Sequence, residues 1–188
     1  MRFSHSRRGL TLTEAAVVLA IAGIVLGSLW AVASAVYQRH QIKKATGQLQ
    51  TIVSNMRALY GNRQTMQQIS FDDVTADAVR MGVFPTDMEL VGGIPQHAWG
   101  PVRIDAWGNC GGGYTRGRCD SGSFEVEFIN AAGTRVPCAA FAASVVGALG
   151  DKGLIAIYTE PGGWRDAVGF NPLTIAAACN YTSYAFKL

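Results

Sequence analysis

The stretch that decides the fold is Gly9-Leu10-Thr11-Leu12-Thr13-Glu14, followed by an apolar run from Ala15 to Tyr37. No charged side chain falls between residues 15 and 37. As a helix that run reaches about 34 Å, enough to cross a bilayer. Ala, Val, Leu, Ile and Gly dominate it, and it closes on Gln38-Arg39-His40 and then Lys43-Lys44. Ahead of it stand Arg2, Arg7 and Arg8. A short basic flank of this kind keeps its own side of a single span in the cytoplasm, so the rest of the chain is expected to be exported.

The remaining composition narrows the class. A chain of 188 residues has room for one ordinary domain and a long appendage. Its apolar share is 49%, its charged share 15% and its mean hydropathy +0.17. A disordered tail and a charge-dense nucleic-acid module are both excluded, and no nucleic-acid partner is expected. The net charge of +3 resides in the first nine residues, because 13 Lys/Arg face 13 Asp/Glu from residue 10 onward. A cleaved secretory signal is the alternative, with Ala31-Val32-Ala33 as its A-x-A-like site. Such a signal has a shorter apolar core, of about 7–15 residues. It also has no use for Glu14, since a carboxylate in lipid costs a few kcal/mol unless partnered.

Beyond the span the pattern turns amphipathic. Ile42, Ala45, Leu49, Ile52, Met56 and Leu59 alternate steps of three and four, with Lys44, Gln48, Asn55 and Arg57 opposite. No proline interrupts Leu10 to Tyr60, and Gly61-Asn62 is a stop signal, so one helix of about 51 residues is expected. Gly23, Gly27, Ala31 and Ala35 fall four apart and form a small-residue ridge on which helices can approach closely.

After Gly61 the chain becomes glycine-rich. Residues Gln64 to Arg80 have room for a short helix or two, and Gly82 to Met88 reads as a turn followed by an N-cap. Trp99 and Trp107 flank a short strand at Val102 to Ile104, and Ser123 to Ile129 alternates as a strand should. An Ala-rich helix is expected from Cys138 to about Leu149, then strands at Gly153 to Thr159 and Thr182 to Phe186. The fold class is therefore α+β, with a long N-terminal helix, part membrane stem and part amphipathic, packed on an antiparallel sheet.

Four cysteines, Cys110, Cys119, Cys138 and Cys179, all lie beyond the span. An even number in an oxidising compartment suggests disulfides, with three connectivities open. The favoured pairs are Cys110–Cys119, closing a small Gly-rich loop, and Cys138–Cys179, tying the Ala-rich helix to the last strand. Zinc is the competing use, but no pair has CxxC spacing and His5, His40 and His97 are scattered. No metal and no cofactor are expected.

Residues 9 to 25 resemble the class III leader and stem of type IV pilins. Phe84-Pro85-Thr86-Asp87-Met88, Ala106-Trp107-Gly108-Asn109 and the cysteine opening a helix resemble the type IVb thin-pilus and bundle-forming pilins. The resemblance implies cleavage between Gly9 and Leu10 by a prepilin peptidase, N-methylation of Leu10, and a mature chain that keeps its stem. It makes Glu14 the fifth mature residue, where the family holds a glutamate. Physically, cleavage leaves an α-amino cation on Leu10 that the Glu14 carboxylate of a neighbouring copy can neutralise. In a low-dielectric bundle an unpaired charge is disfavoured, so the pair can set axial register. The local alternative is that Glu14 sits in the first helical turn, where the helix dipole favours a carboxylate.

Enzymatic chemistry has no motif here. Gly108 to Gly113 lacks the Gly-Lys-Ser/Thr ending of a phosphate loop, and no GxSxG, HExxH or EF-hand pattern occurs. Asp72, Asp73, Asp77 and Asp87 read as caps or turn residues, and Asn180-Tyr181-Thr182 matches a glycosylation sequon of little weight. The expected organisation is a leader (1–9), a hydrophobic stem (10–38), an amphipathic half-helix (39–61) and a head (62–188). The expected role is a non-enzymatic subunit that polymerises with itself, served by prepilin peptidase and inner-membrane assembly machinery. It starts in the bacterial inner membrane and ends in an extracellular fibre that meets a host-cell or recipient-cell receptor. A type II secretion pseudopilin and a membrane-anchored periplasmic enzyme or sensor are the alternatives.

Overall fold

The structure is a computed structural model that describes residues 11–61, 72–107, 122–131, 135–160, 163–175 and 179–187. The chain divides into two units, Met1–His40 and Gln41–Leu188. One helix, α1 (Leu12–Tyr60, 49 residues), contributes to both. In the first unit every described residue is exposed, including Leu12, Leu19, Ile24 and Trp30. In the second unit α1 buries Ile42, Ala45, Leu49, Ile52, Val53 and Met56, the face set by the three-and-four spacing. The helix ends at Tyr60, where the Gly61 amide donates to the Arg57 carbonyl at 2.8 Å.

The second unit adds β1 (Asp72–Asp73), α2 (Thr75–Arg80), β2 (Glu89–Val91), β3 (Ile94–His97), β4 (Gly100–Trp107) and β5 (Ser123–Ile129). It continues with α3 (Cys138–Leu149), β6 (Leu154–Glu160), β7 (Gly163–Asp166), a 3₁₀ turn (Pro172–Thr174) and β8 (Tyr181–Lys187). The sheet order is β2-β3-β4-β5-β8-β6-β7, with β1 paired to β4 off that path, and every pairing is antiparallel. The fold is α+β, a helix on an antiparallel sheet, as expected of a pilin.

The last strand holds a structural position the order in sequence hides. Strand β5 leads through α3 to β6, yet β6 does not pair with β5; β8 fills the slot between them. Residues Val102, Ile104, Ala106, Phe124, Val126, Phe128, Tyr184 and Phe186 turn one face of β4, β5 and β8 toward α1 and α3. Phe141 of α3 sits among the rings of Trp99, Phe128 and Tyr184, with centroids 4.9–5.3 Å away.

Several sequence expectations change. Gly82 to Met88 does make a turn, but no helix follows it: β2 and β3 form a hairpin whose Gly92 and Gly93 both have positive φ. Two such residues are what a two-residue type I′ turn demands. The strand expected at Val102–Ile104 extends to Gly100–Trp107, because β5 on one side and β1 and β3 on the other supply partners along its length. Gln48, placed on the polar face of α1, is buried, its Nε2 donating to Asp87 at 3.0 Å. Asp87 also pairs with Lys44 at 3.2 Å, so it ties α1 to the turn. Asp73 does serve as a turn acceptor, taking the Thr75 amide at 2.9 Å.

Candidate assembly segment

The start of α1 is a reciprocal cap. The Thr11 amide and Thr11 Oγ1 both donate to Glu14 Oε2 at 2.8 Å, and the Glu14 amide donates to Thr11 Oγ1 at 3.3 Å. Thr-x-x-Glu is the capping-box pattern, and it satisfies two backbone donors that a helix N-terminus otherwise leaves unpaired. The sequence placed Glu14 in the first turn; Thr11 as its local partner went unread, although the spacing carries that signal. Both Thr11 bonds go to the same carboxylate oxygen. Gly9 and Leu10, the cleavage and methylation positions, lie outside the described residues.

The next turns are built for an apolar surrounding. Ser28 Oγ donates to the Val25 carbonyl at 2.8 Å and Ser34 Oγ to the Ala31 carbonyl at 2.9 Å. These hydroxyls are satisfied inside the helix, as the absence of water in a bilayer requires. A Cβ added at Gly23 or Gly27 would meet open space, so this stripe of the surface is flat and available for close helix packing. Exposed Val17, Val18, Ile21, Ile24, Val25 and Leu26 make a continuous apolar surface, far beyond the scattered exposure normal in water.

Residues 4–30 match the prokaryotic N-terminal methylation motif. That match supports a type IV pilin-like prepilin. The motif and the apolar helix point together to membrane anchoring, to a prepilin peptidase as a processing partner and to homopolymerisation. No curated protein and no solved structure matches the chain.

In the second unit Cys138 and Cys179 are joined by a disulfide. A backbone pair beside it, Val136 with Cys179, bonds in both directions at 3.1 and 3.2 Å, so the bridge anchors the approach to β8 at the start of α3. Cys110 and Cys119 lie outside the described residues, as does the Gly108–Gly113 loop.

The sequence did not foretell the second face of the sheet. Asp105, Glu125 and Glu127 lie there, on the face alternate to the core, and Asp105 and Glu125 are only 7% and 3% exposed. Burial pushes the Asp105 carboxyl up to about 7, reinforced by Glu127 and Asp73 and opposed by Arg103. Burial likewise pushes Glu125 up to about 8, with the Ser183 hydroxyl opposing the shift. Tyr181 donates its hydroxyl to Glu127, and Ser183 donates to Glu125. Alternation of Phe124-Glu125-Val126-Glu127-Phe128 reads as an apolar face and a solvated one, whereas here Asp105 and Glu125 on the second face are buried while Glu127 is partly so and Arg103 is exposed.

Proposed function

We propose that this chain is a structural subunit of a type IV pilus. It is cut after Gly9 by prepilin peptidase, N-methylated at Leu10 and held in the inner membrane by residues 10–38. It then polymerises through that helix, and its head becomes the surface of an extracellular fibre used for adhesion, aggregation or conjugative contact. The observation that carries the reading is the N-terminal methylation motif on residues 4–30, in which Glu14 is followed by a helical run that carries no charge from residue 15 to residue 37. An enzyme on a membrane anchor needs neither feature.

Assembly follows from the capped helix. Before cleavage the Glu14 carboxylate is satisfied by its own Thr11, which lowers the cost of keeping it near lipid. Cleavage exposes a cation on Leu10, and a neighbour's amine then meets a carboxylate that Thr11 holds in one rotamer. The Cys138–Cys179 bridge favours a pilus subunit over a type II secretion pseudopilin, because the resemblance places a disulfide-bounded C-terminal region in the former.

The test is filament yield from cells carrying the peptidase and assembly machinery, comparing the full-length chain with Glu14→Gln. The variant is expected to reach the membrane and be processed, and to lose most of its filament mass. Filaments of normal yield and length from Glu14→Gln would overturn the assembly role. A processed, methylated wild type that forms no surface fibre would move the reading to a pseudopilin.

A further inference from the structure

On the face of β4 and β5 turned away from the core, one carboxyl oxygen from each of Asp105, Glu125 and Glu127 lies within 4.8 Å of the others. Register produces this crowding. Asp105 stands directly opposite Glu125, and Arg103 opposite Glu127. Asp105 and Glu127 are hydrogen-bonded side chain to side chain. Two carboxylates cannot make that bond, because an ionised carboxylate only accepts; one of the pair must carry a proton. Asp105, the more buried of the two, is the member that keeps it. Glu125 is 3% exposed and takes the Ser183 hydroxyl, a neutral donor. Burial among neutral partners favours its acid form over its anion.

The neighbours leave the proton as the means of neutralising this charge. Among the described residues, the groups on this face around the pair are Asp73 of β1, Arg103 of β4, Glu127 of β5, and Tyr181 and Lys187 of β8, with Tyr158 and Glu160 of β6 one strand further out. Glu127 and Asp73 add negative charge beside Asp105, and the exposed Arg103 offsets only part of it. At Glu125 the charges of Glu127 and Asp105 push the same way as burial, and the Ser183 hydroxyl opposes them. Lys187 stands opposite Ser123, one pleat from Glu125, and is exposed. Tyr181 holds its own proton, because burial and its bond to Glu127 push its hydroxyl up.

We propose that the outer face of β4, β5 and β8 is a pH-sensitive latch, closed by protons held on Asp105 and Glu125 and released when alkali removes them. In the closed form the Asp105 acid donates to Glu127 across the β4–β5 pairing, while Tyr181 and Ser183 of β8 donate to Glu127 and Glu125, so one network ties three strands. Losing the protons turns the Asp105–Glu127 bond into a repulsion and leaves Glu125 a buried anion. Folding raises both carboxyls, Asp105 from 3.8 to about 7 and Glu125 from 4.5 to about 8. The stability they contribute is therefore whole below the unfolded values, falls as the pH rises, and is gone once the pH has passed the folded ones. The latch does not depend on the pilus reading.

The experiment uses the full-length chain in micelles of a detergent without ester groups, between pH 6 and pH 9. Infrared difference spectra report protonated carboxyl groups directly, since carboxyls of ordinary pKa are already ionised at pH 6. The expected result is a protonated-carboxyl band of about two groups per chain at pH 6 that disappears by pH 9. Thermal unfolding should show a Tm lower by about 10 °C at pH 9 than at pH 6. Glu125→Gln keeps the shape of the protonated acid; it should remove one group from the band and cut the fall in Tm by more than half. If Glu125→Gln does not fold, Asp105→Asn replaces it, and the wild-type band is read in either case. No protonated-carboxyl band in the wild type at pH 6 would overturn the proposal. So would a fall in Tm in the carboxamide variant equal to that of the wild type.

Discussion

His97 shows how one side chain can set the pH behaviour of the second unit. Its ring packs edge-on against Trp99 and Phe128, and its Nδ1 accepts the Trp99 amide at 3.1 Å. Burial pushes its pKa down from 6.5 to about 3. Its proton is therefore bound by the unfolded chain first. The neutral ring's contribution is whole above about pH 6.5 and is lost as the pH falls toward 3. Relative to His97→Gln, the wild type should lose about 2 kcal/mol of stability between pH 7 and pH 5. Denaturant unfolding of both proteins across that range checks it. The Asp105 and Glu125 carboxyls act in the opposite sense, so the difference between the two proteins is the quantity to read. Parallel curves would show that His97 protonates freely in the folded state. At the other end of the chain, Thr11→Val removes the hydroxyl half of the cap while leaving Glu14 intact. Filament yield should fall in Thr11→Val, and Thr11→Ser should restore it.

Among the elements, β8 depends on one covalent tie. The Cys138–Cys179 bridge closes a loop with a sequence separation of 41. Loop-closure entropy then assigns it about 4 kcal/mol. Replacing both cysteines by serine should lower Tm by about 8–16 °C, measured on the oxidised wild type and the double variant side by side. A drop of a degree or two would mean that the sheet pairings of β8 suffice without the bridge. Packing at α3 gives a second check: Phe141 is fully buried among three aromatic rings, so Phe141→Ala should cost about 3–5 kcal/mol in denaturant unfolding. Elements with strong periodicity were legible from residues alone. Helix α1, strand β5 and helix α3 fall within a residue or two of their expected bounds. The β2–β3 hairpin was missed because Pro95 argues against a strand, although Gly92-Gly93 carried the turn signal. Strand β7 was missed because four residues, Gly163-Trp164-Arg165-Asp166, show no alternation and gain their strand form from β6 alone. Glycine matters in one further place. Gly100 has a φ of 152°, and a Cβ there would fall on the backbone of Ile129 and Ala131. No sequence pattern announces that close approach.

For the whole molecule, two arguments of different reach meet. The second unit is an ordinary α+β body, with a core shared by α1, α3 and one face of the sheet. The first unit carries an apolar surface with no core of its own to join, since all its described residues are exposed. Such a surface is stable only in lipid or against other helices, and the methylation motif that overlaps it points to membrane anchoring and to self-association. The part legible in the sequence was the motif itself, a glycine, a hydrophobic residue, a glutamate and a greasy helix, which falls within the residues that match the methylation motif. The capping partner Thr11 was signalled by the Thr-x-x-Glu spacing but went unread, whereas the buried carboxylates of the second sheet face needed three-dimensional register to appear. The most direct measurement is mass spectrometry of the N-terminal peptide from full-length protein made in cells with an active prepilin peptidase. The account predicts a chain that begins with methylated Leu10. An intact Met1, or a new terminus near Ala33, would contradict it.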